Sequence, residues 1–410
     1  MSDKRWYKLD NSAKIMPSMT NSLNTNVFRL SCTLKEDVNP DILKLAMMEA
    51  CSEFPMFMCT MKSGLFWHYL ETSHVMPVVL EEKSYPLSKI DNGLLFRLTY
   101  HKKRINLEVY HVLADGNGAM EFLKFIVASY LDKVHGMNYH VGLNKASEYE
   151  KASDDFSKFD KGSRRIKFSK NKIAYKFKFP RKEDTIPDII EIHTSCTKVK
   201  ECAHKYGTTV TIYLASILIS SIIRCAKVKD LKKPIGITVP IDLRNVFPSQ
   251  TTRNFFYAVG IQYEYRDTYQ IQDIVDVLKA KFDKEFSKEN LQELLDSYMI
   301  LEKFLLIRII PNVLKDFILG LITVRRDTET MALSNMGVIN FPKEYEDYVE
   351  SFSGMMSSTG LHLTAMSYKE KLVLSFTSHY LTNEIERSMV KLLKEDGIDD
   401  ILIVSNKEEA

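Results

Sequence analysis

At 410 residues the chain is too long for one small core and fits two domains or a two-lobed body. Its 45% hydrophobic and 27% charged residues are those of an ordinary globular protein, and a formal charge of +3 is no global basic excess of the kind nucleic acid attracts. Six cysteines without a Cys-x-x-Cys pair point to reduced core thiols.

The opening MSDKRWYKLD has no apolar signal-peptide core, so a cytoplasmic location is expected. Tyr7 to Pro17 reads as irregular, and Asn26 to Leu34 alternates as a strand. Asn39-Pro40 opens a helix that Phe54-Pro55 ends. Strand-like runs follow at Pro55–Met61, Gly64–Leu70 and Leu94–Tyr100. The last makes a hairpin with Ile105, Leu107, Val109 and His111, which share one face, while Arg104, Asn106, Glu108 and Tyr110 take the other. Asp115-Gly116-Asn117-Gly118 then turns the chain into a helix that runs to about Val134.

From Lys161 to Lys182 ten basic residues occur without an acid: Lys161, Arg164, Arg165, Lys167, Lys170, Lys172, Lys176, Lys178, Arg181 and Lys182. Within the run, Ile173, Tyr175, Phe177 and Phe179 alternate with Lys172, Ala174, Lys176 and Lys178, which predicts a strand with a cationic face. That face is either simply solvated or attracts anions such as phosphates.

Beyond it the pattern predicts helices at Thr197–Tyr206 and Thr209–Lys227, strands at Ile235–Val239 and Phe255–Tyr265, and helices at Gln270–Phe286 and Asn290–Ile310. A shorter helix follows Pro311. Thr328–Ser334 reads as a strand running into Asn335-Met336-Gly337. Leu361–Ser367 and Lys371–Tyr380 form a hairpin, and Asn383–Lys394 is the closing helix. Two apolar stretches invite comparison with a membrane. Thr211–Ile223 is too short to span one, and Leu301–Val324 is interrupted by Lys303, Arg308, Pro311 and Lys315, leaving a membrane-surface role open for the second. The division predicted is a first lobe at 1–160, a basic crossover at 161–188 and a second lobe at 189–410, both lobes mixed α/β.

A histidine at a strand end before a glycine turn can serve as a general base, since its ordinary pKa lies near neutrality. It can equally be a hydrogen-bonded core residue, with Asp115 pinning the loop through an arginine and Gly116 permitting the turn. His-Glu-x-x-His, a glycine-rich phosphate loop and a Gly-x-Ser-x-Gly elbow are all missing, which removes the commonest metallohydrolase, nucleotide and serine-hydrolase readings. His135 and His140 flank a loop without acidic company, and His68 beside Trp67 and Tyr69 reads as packing rather than a ligand.

HVLADG resembles the His-His-x-x-x-Asp-Gly motif of the chloramphenicol acetyltransferase-like superfamily, which includes BAHD acyltransferases, wax ester synthases and peptide-synthetase condensation domains. Tyr110 replaces the first His. YKLDNSAKIMP, GLFWHYLE, VPIDLRNVFPS with RNFF, and SNMGVINFP resemble, in that order, bacterial alcohol acetyltransferase-like proteins. The resemblance implies two α/β lobes in a V with a channel between them. It implies acyl transfer from acyl-CoA, as co-substrate rather than tightly bound cofactor, to a small hydroxyl acceptor, with no covalent acyl-enzyme and no metal. An acyl carrier protein as donor, an amine as acceptor, and a binding module without turnover are the alternatives. A monomer with no transmembrane segment is expected. The resemblance makes His111 the base and gives Asp115-Gly116 a mainly structural part, with Arg244 first among arginine partners and Arg29 and Arg97 behind it. Ser334, Asn335 and Gly337 are the oxyanion candidates, and Asn254 and Phe255 the substrate-binding ones.

Overall fold

The computed structural model describes residues 5–83, 85–143, 145–162, 171–267, 269–303, 309–324 and 328–406. Two large sheets organise them. The first has five strands in the order β12 (Val349–Met356), β2 (Val27–Leu34), β7 (Arg104–Tyr110), β6 (Phe96–His101) and β5 (Val79–Glu81), antiparallel except for the β5–β6 pair. Helices Pro40–Glu53 and Gly116–His135 pack on each other and on this sheet, sharing one apolar core. The first starts where the sequence predicts, because the Asn39 side chain accepts from the amides of Asp41 and Ile42.

The second sheet runs β10 (Phe256–Tyr263), β9 (Ile235–Asp242), β11 (Met331–Val338), β13 (Leu361–Tyr368), β14 (Lys371–Ser378), β8 (Asp188–Ser195) and β15 (Leu402–Ser405). Only β11 pairs in parallel, with β9 and β13. Helices Cys196–Lys205, Val210–Cys225, Ile271–Glu285 and Glu384–Glu395 bury its core. The buried run at 210–225 is thus core packing, and among the described residues no single helix is long and apolar enough to cross a membrane. A small third sheet, β1 (Trp6–Lys8), β4 (His68–Thr72) and β3 (Cys59–Ser63), lies beside the first.

Several local expectations need correction. Pro55–Met58 is a 3-10 turn before β3, since Pro55 cannot donate to a ladder. The face of β7 carrying Asn106 and Glu108 is buried, not solvated. Glu108 lies between Arg29 (2.9 Å) and Arg97, and those cations hold its carboxyl below the usual range although burial pushes it up. The stretch 172–179 joins no sheet ladder; the Tyr175 amide donates to Pro234 O, and Tyr175 and Phe177 are buried while Ile173 is exposed. Its Lys172 meets Glu264 at 2.7 Å and Lys178 meets Asp230 at 2.6 Å, so these two charges are paired at the surface. Arg164, Arg165, Lys167 and Lys170 lie outside the described residues. His140 does have acidic company: Nδ1 meets Asp132 at 2.6 Å and Nε2 meets Glu49 at 2.9 Å, while His135 lies 3.5 Å from Glu36.

Strand β12 goes unpredicted. It comes from within 189–410, yet it pairs with β2 in the sheet of the first half and lies over β13 and β14 of the other sheet. Arg104 of β7 reaches across the same junction to Glu191 of β8, at 2.7 Å. The two halves are therefore joined by a shared strand and by buried charge.

Candidate active site

Strand β7 ends at Tyr110, and the backbone amide of His111 donates to Asn26 O at 2.9 Å, which fixes the imidazole at the strand end. Phe28 stands edge-on to the ring at 5.0 Å between centroids, and Phe256 lies 5.1 Å away. His111 is buried, and the buried turn Val112–Ala114 leads into Asp115.

Asp115 caps the following helix, its Oδ1 accepting from Gly118 N at 2.9 Å. Its Oδ2 accepts from Phe255 N and from Arg244 Nη1, both at 2.8 Å, and Arg244 Nη2 reaches Oδ1 at 3.2 Å. Arg244 is thus the partner; Arg29 and Arg97 serve Glu108. The guanidinium also meets Asp242 at 2.8 Å and the carbonyls of Thr251 and Arg253. One buried ion pair thereby ties the helix start to the 242–255 loop.

Close approach of backbone requires the glycine at 118, while at 116 the near neighbour is the flexible end of Met336. A Cβ on Gly116 would stand 2.9 Å from Met336 Sδ, and one on Gly118 would stand 1.9 Å from Thr252 O. Neither has positive φ, which corrects the role expected of Gly116.

Asn254 is buried beside His111. Its Nδ2 donates to Asp10 Oδ2 at 3.1 Å, which turns Oδ1 toward His111 Nδ1 at 2.9 Å. A carbonyl oxygen can only accept, so Nδ1 carries the proton and the lone pair lies on Nε2. Among the described residues no side chain is hydrogen-bonded to Nε2; the ring's other bond is to its own backbone. Burial holds the imidazole pKa below its ordinary 6.5, against the opposing pull of Asp115 and Asn254. Asp10 is anchored by Ala13 N at 2.8 Å, with Arg253 at 3.7 Å; burial raises its carboxyl to about 6 despite that arginine.

Phe255 is buried in a separate cluster with Phe156, Leu243 and Phe247, and Phe256 is the residue that meets His111. In the other sheet, Ser334 Oγ lies 3.1 Å from His362 Nε2. Burial, and then the charge of nearby His111, push the His362 pKa down to about 4. Asn335 turns away, donating to Thr211 Oγ1 at 2.8 Å and accepting from Gly337 N at 2.9 Å; Gly337 sits at φ +70°. Among the described residues no three His, Cys, Asp or Glu side chains converge as a metal site.

No family model matches the chain, and no curated protein does. Solved structures match along nearly its whole length. The trichothecene 15-O-acetyltransferase TRI3 from Fusarium sporotrichioides superposes with a TM-score of 0.66 at 10% identity, covering 96% of this chain and 95% of its own. TRI101 of F. sporotrichioides, solved with coenzyme A and T-2, gives 0.62 at 10% identity over 97% and 99%. The first condensation domain of the CDA synthetase gives 0.61 at 10% over 98% and 99%. The chain therefore shares the fold of these acetyltransferase and condensation-domain structures. In that fold, sequence reasoning had brought out His111, Asp115 and Arg244, and it had missed the roles of Asp10, Phe256 and His362. Asp10 stands inside YKLDNSAKIMP, and His362 shares a strand face with Thr364, so alternation was the only signal for it.

If Asn254 sets the tautomer, Asn254→Leu will strand the Nδ1 proton and Asp10 without their partner. Losing one such bond is worth about 1–3 kcal/mol, so kcat for any His111-dependent reaction should fall about tenfold or more with KM little changed. An unaltered kcat would remove Asn254 from the site.

Proposed function

We propose that the protein moves an acyl group from acyl-CoA to a hydroxyl acceptor, with His111 as general base. The observation that carries this reading is the imidazole held by Asn254 at Nδ1, with the Nε2 lone pair left for chemistry. A similar fold solved with coenzyme A supports the donor class.

In this mechanism Nε2 takes the proton of the acceptor hydroxyl as its oxygen attacks the thioester carbonyl. The tetrahedral intermediate collapses, the C–S bond breaks, and the imidazolium returns the proton to the departing thiolate. Ser334 is the oxyanion donor we favour. A neutral His362 with its proton on Nε2 donates to Ser334 Oγ and leaves the serine hydrogen for the developing anion. Similarity to a condensation domain supports a second reading, in which a carrier protein brings the acyl group or an amine accepts it.

The test is thiol release from acetyl-CoA and longer acyl-CoAs against a panel of alcohols and amines. Release that depends on an alcohol is expected. Its kcat/KM should stay flat on descending to pH 6.5 and fall only below it, because protonation of a base with a lowered pKa is what removes activity. Release with amines alone, or only from a loaded carrier protein, would favour the second reading; no release from any pair would overturn both.

A further inference from the structure

Where Asn254 sits and which end of its amide faces His111 are fixed by different groups. Arg244 holds Arg253 O and Asp115 holds Phe255 N, so the loop is pinned on both sides of Asn254. Neither bond touches the side-chain amide, whose oxygen and nitrogen ends have nearly the same shape. Either end fits against His111 Nδ1 without moving the backbone, and the two arrangements have opposite consequences. With the oxygen there, Nδ1 holds the proton and Nε2 keeps its lone pair. With the NH₂ there, Nδ1 has to accept, the proton moves to Nε2, and no base is left at that atom.

Asp10 decides between them. A carboxylate only accepts, so the end of Asn254 that meets Asp10 Oδ2 at 3.1 Å has to be the NH₂. The carboxylate is itself held from three sides. Its Oδ1 accepts from Ala13 N at 2.8 Å, at the start of the turn Ala13–Ile15, and Arg253 stands 3.7 Å from Oδ2. Arg253 also donates to Lys8 O at the end of β1, which fixes the backbone before Asp10. Asp10 and Asn254 are both buried, which shields the amide from bulk water. Although burial and the charge of Asp154 push the carboxyl up, to about 6, the pull of Arg253 opposes them, and above pH 7 it is ionised and purely an acceptor.

We propose that Asp10 is a positioning residue that selects the tautomer of His111 by turning the amide of Asn254. No proton passes along this relay; the carboxylate orients the amide, and the amide oxygen holds the proton of Nδ1. The ring's bond to its own backbone is common to both arrangements of the amide and does not choose between them.

The relay predicts the outcome of exchanging its two members. In Asp10→Asn the new carbonyl keeps Ala13 N, its NH₂ faces the NH₂ of Asn254, and Asn254 turns over to relieve the clash. Adding Asn254→Asp restores the pattern with the charge moved inward, because the amide at position 10 then donates to a carboxylate that accepts from His111 Nδ1. The experiment is long-range proton–nitrogen correlation at pH 8 on the full chain labelled with nitrogen-15 in its histidines. The His111 signals are assigned by their loss in His111→Gln. The unaltered chain should carry the proton on Nδ1, Asp10→Asn on Nε2, and the double variant on Nδ1 again. In thiol release, Asp10→Asn should lower kcat about ten- to a hundredfold with KM little changed, and the double variant should recover part of that loss.

An unaltered chain with its proton on Nε2, or Asp10→Asn with its proton still on Nδ1, would overturn the proposal. So would a double variant that fails to return the proton to Nδ1. Loss of fold in Asp10→Asn that the double variant does not repair would make Asp10 a structural cap only, and would overturn it too. The inference rests on His111 as the base, but the tautomer is read without turnover. The expected spectra from a chain with no acyl transfer would therefore sink the acyl-transfer reading and leave the relay standing.

Discussion

His111→Ala is expected to lower thiol release by about 10²–10⁴, the usual worth of a general base, while the protein stays folded. The separation follows from how the ring is held. The ring is hydrogen-bonded to Asn254 and to its own backbone, and it packs on Phe28 and Phe256. Removing it leaves Asn254 Oδ1 unpaired, a cost of about 1–3 kcal/mol in stability, which lowers the melting point without abolishing folding. The strand position is fixed by the backbone bond to Asn26 O, which alanine keeps. Far-UV circular dichroism and melting would be measured beside the rate. Normal turnover by a folded His111→Ala protein would rule out the base, and loss of fold with loss of rate would make the residue structural.

Period carried most of the local structure. Alternation marks β7 and β14, and Asn39 and Thr209 mark helix starts at which their side chains do accept backbone amides. Strand β12 escaped because VESFSGMM is buried on both faces between the sheets, so its Ser351 and Ser353 blur the alternation. Its pairing with β2 joins residues more than 300 apart in the chain, which no local pattern encodes. At the site the motif was legible because His111, Asp115 and Gly116 are close in sequence. Phe255 and Phe256 were confused for a reason general to strands: a shift of one residue exchanges faces. Asp10 could not be found by spacing, since its partner Asn254 lies 244 residues away in an unpaired loop.

Asp115→Asn should cost about 3–5 kcal/mol of stability, the usual consequence of removing one member of a buried ion pair. The carboxylate accepts from Gly118 N, Phe255 N and both Arg244 nitrogens, and an amide cannot satisfy that set while its NH₂ faces the guanidinium. Arg244 would keep Asp242 and two carbonyls, so the loss should fall short of unfolding. Activity should fall as well, because Arg244 binds the Arg253 carbonyl and Phe255 N binds Asp115, which together place Asn254 against His111. Asp115 is thus a positioning residue, acting on the imidazole through the 242–255 loop. Arg244→Gln breaks the same pair, so Arg244→Gln and Asp115→Asn together should cost less than their sum. A direct role for Asp115 beside the imidazole predicts otherwise: the pH–rate profile of Asp115→Asn would shift while its melting stayed that of the unaltered protein, an outcome that would displace the ion pair from the account.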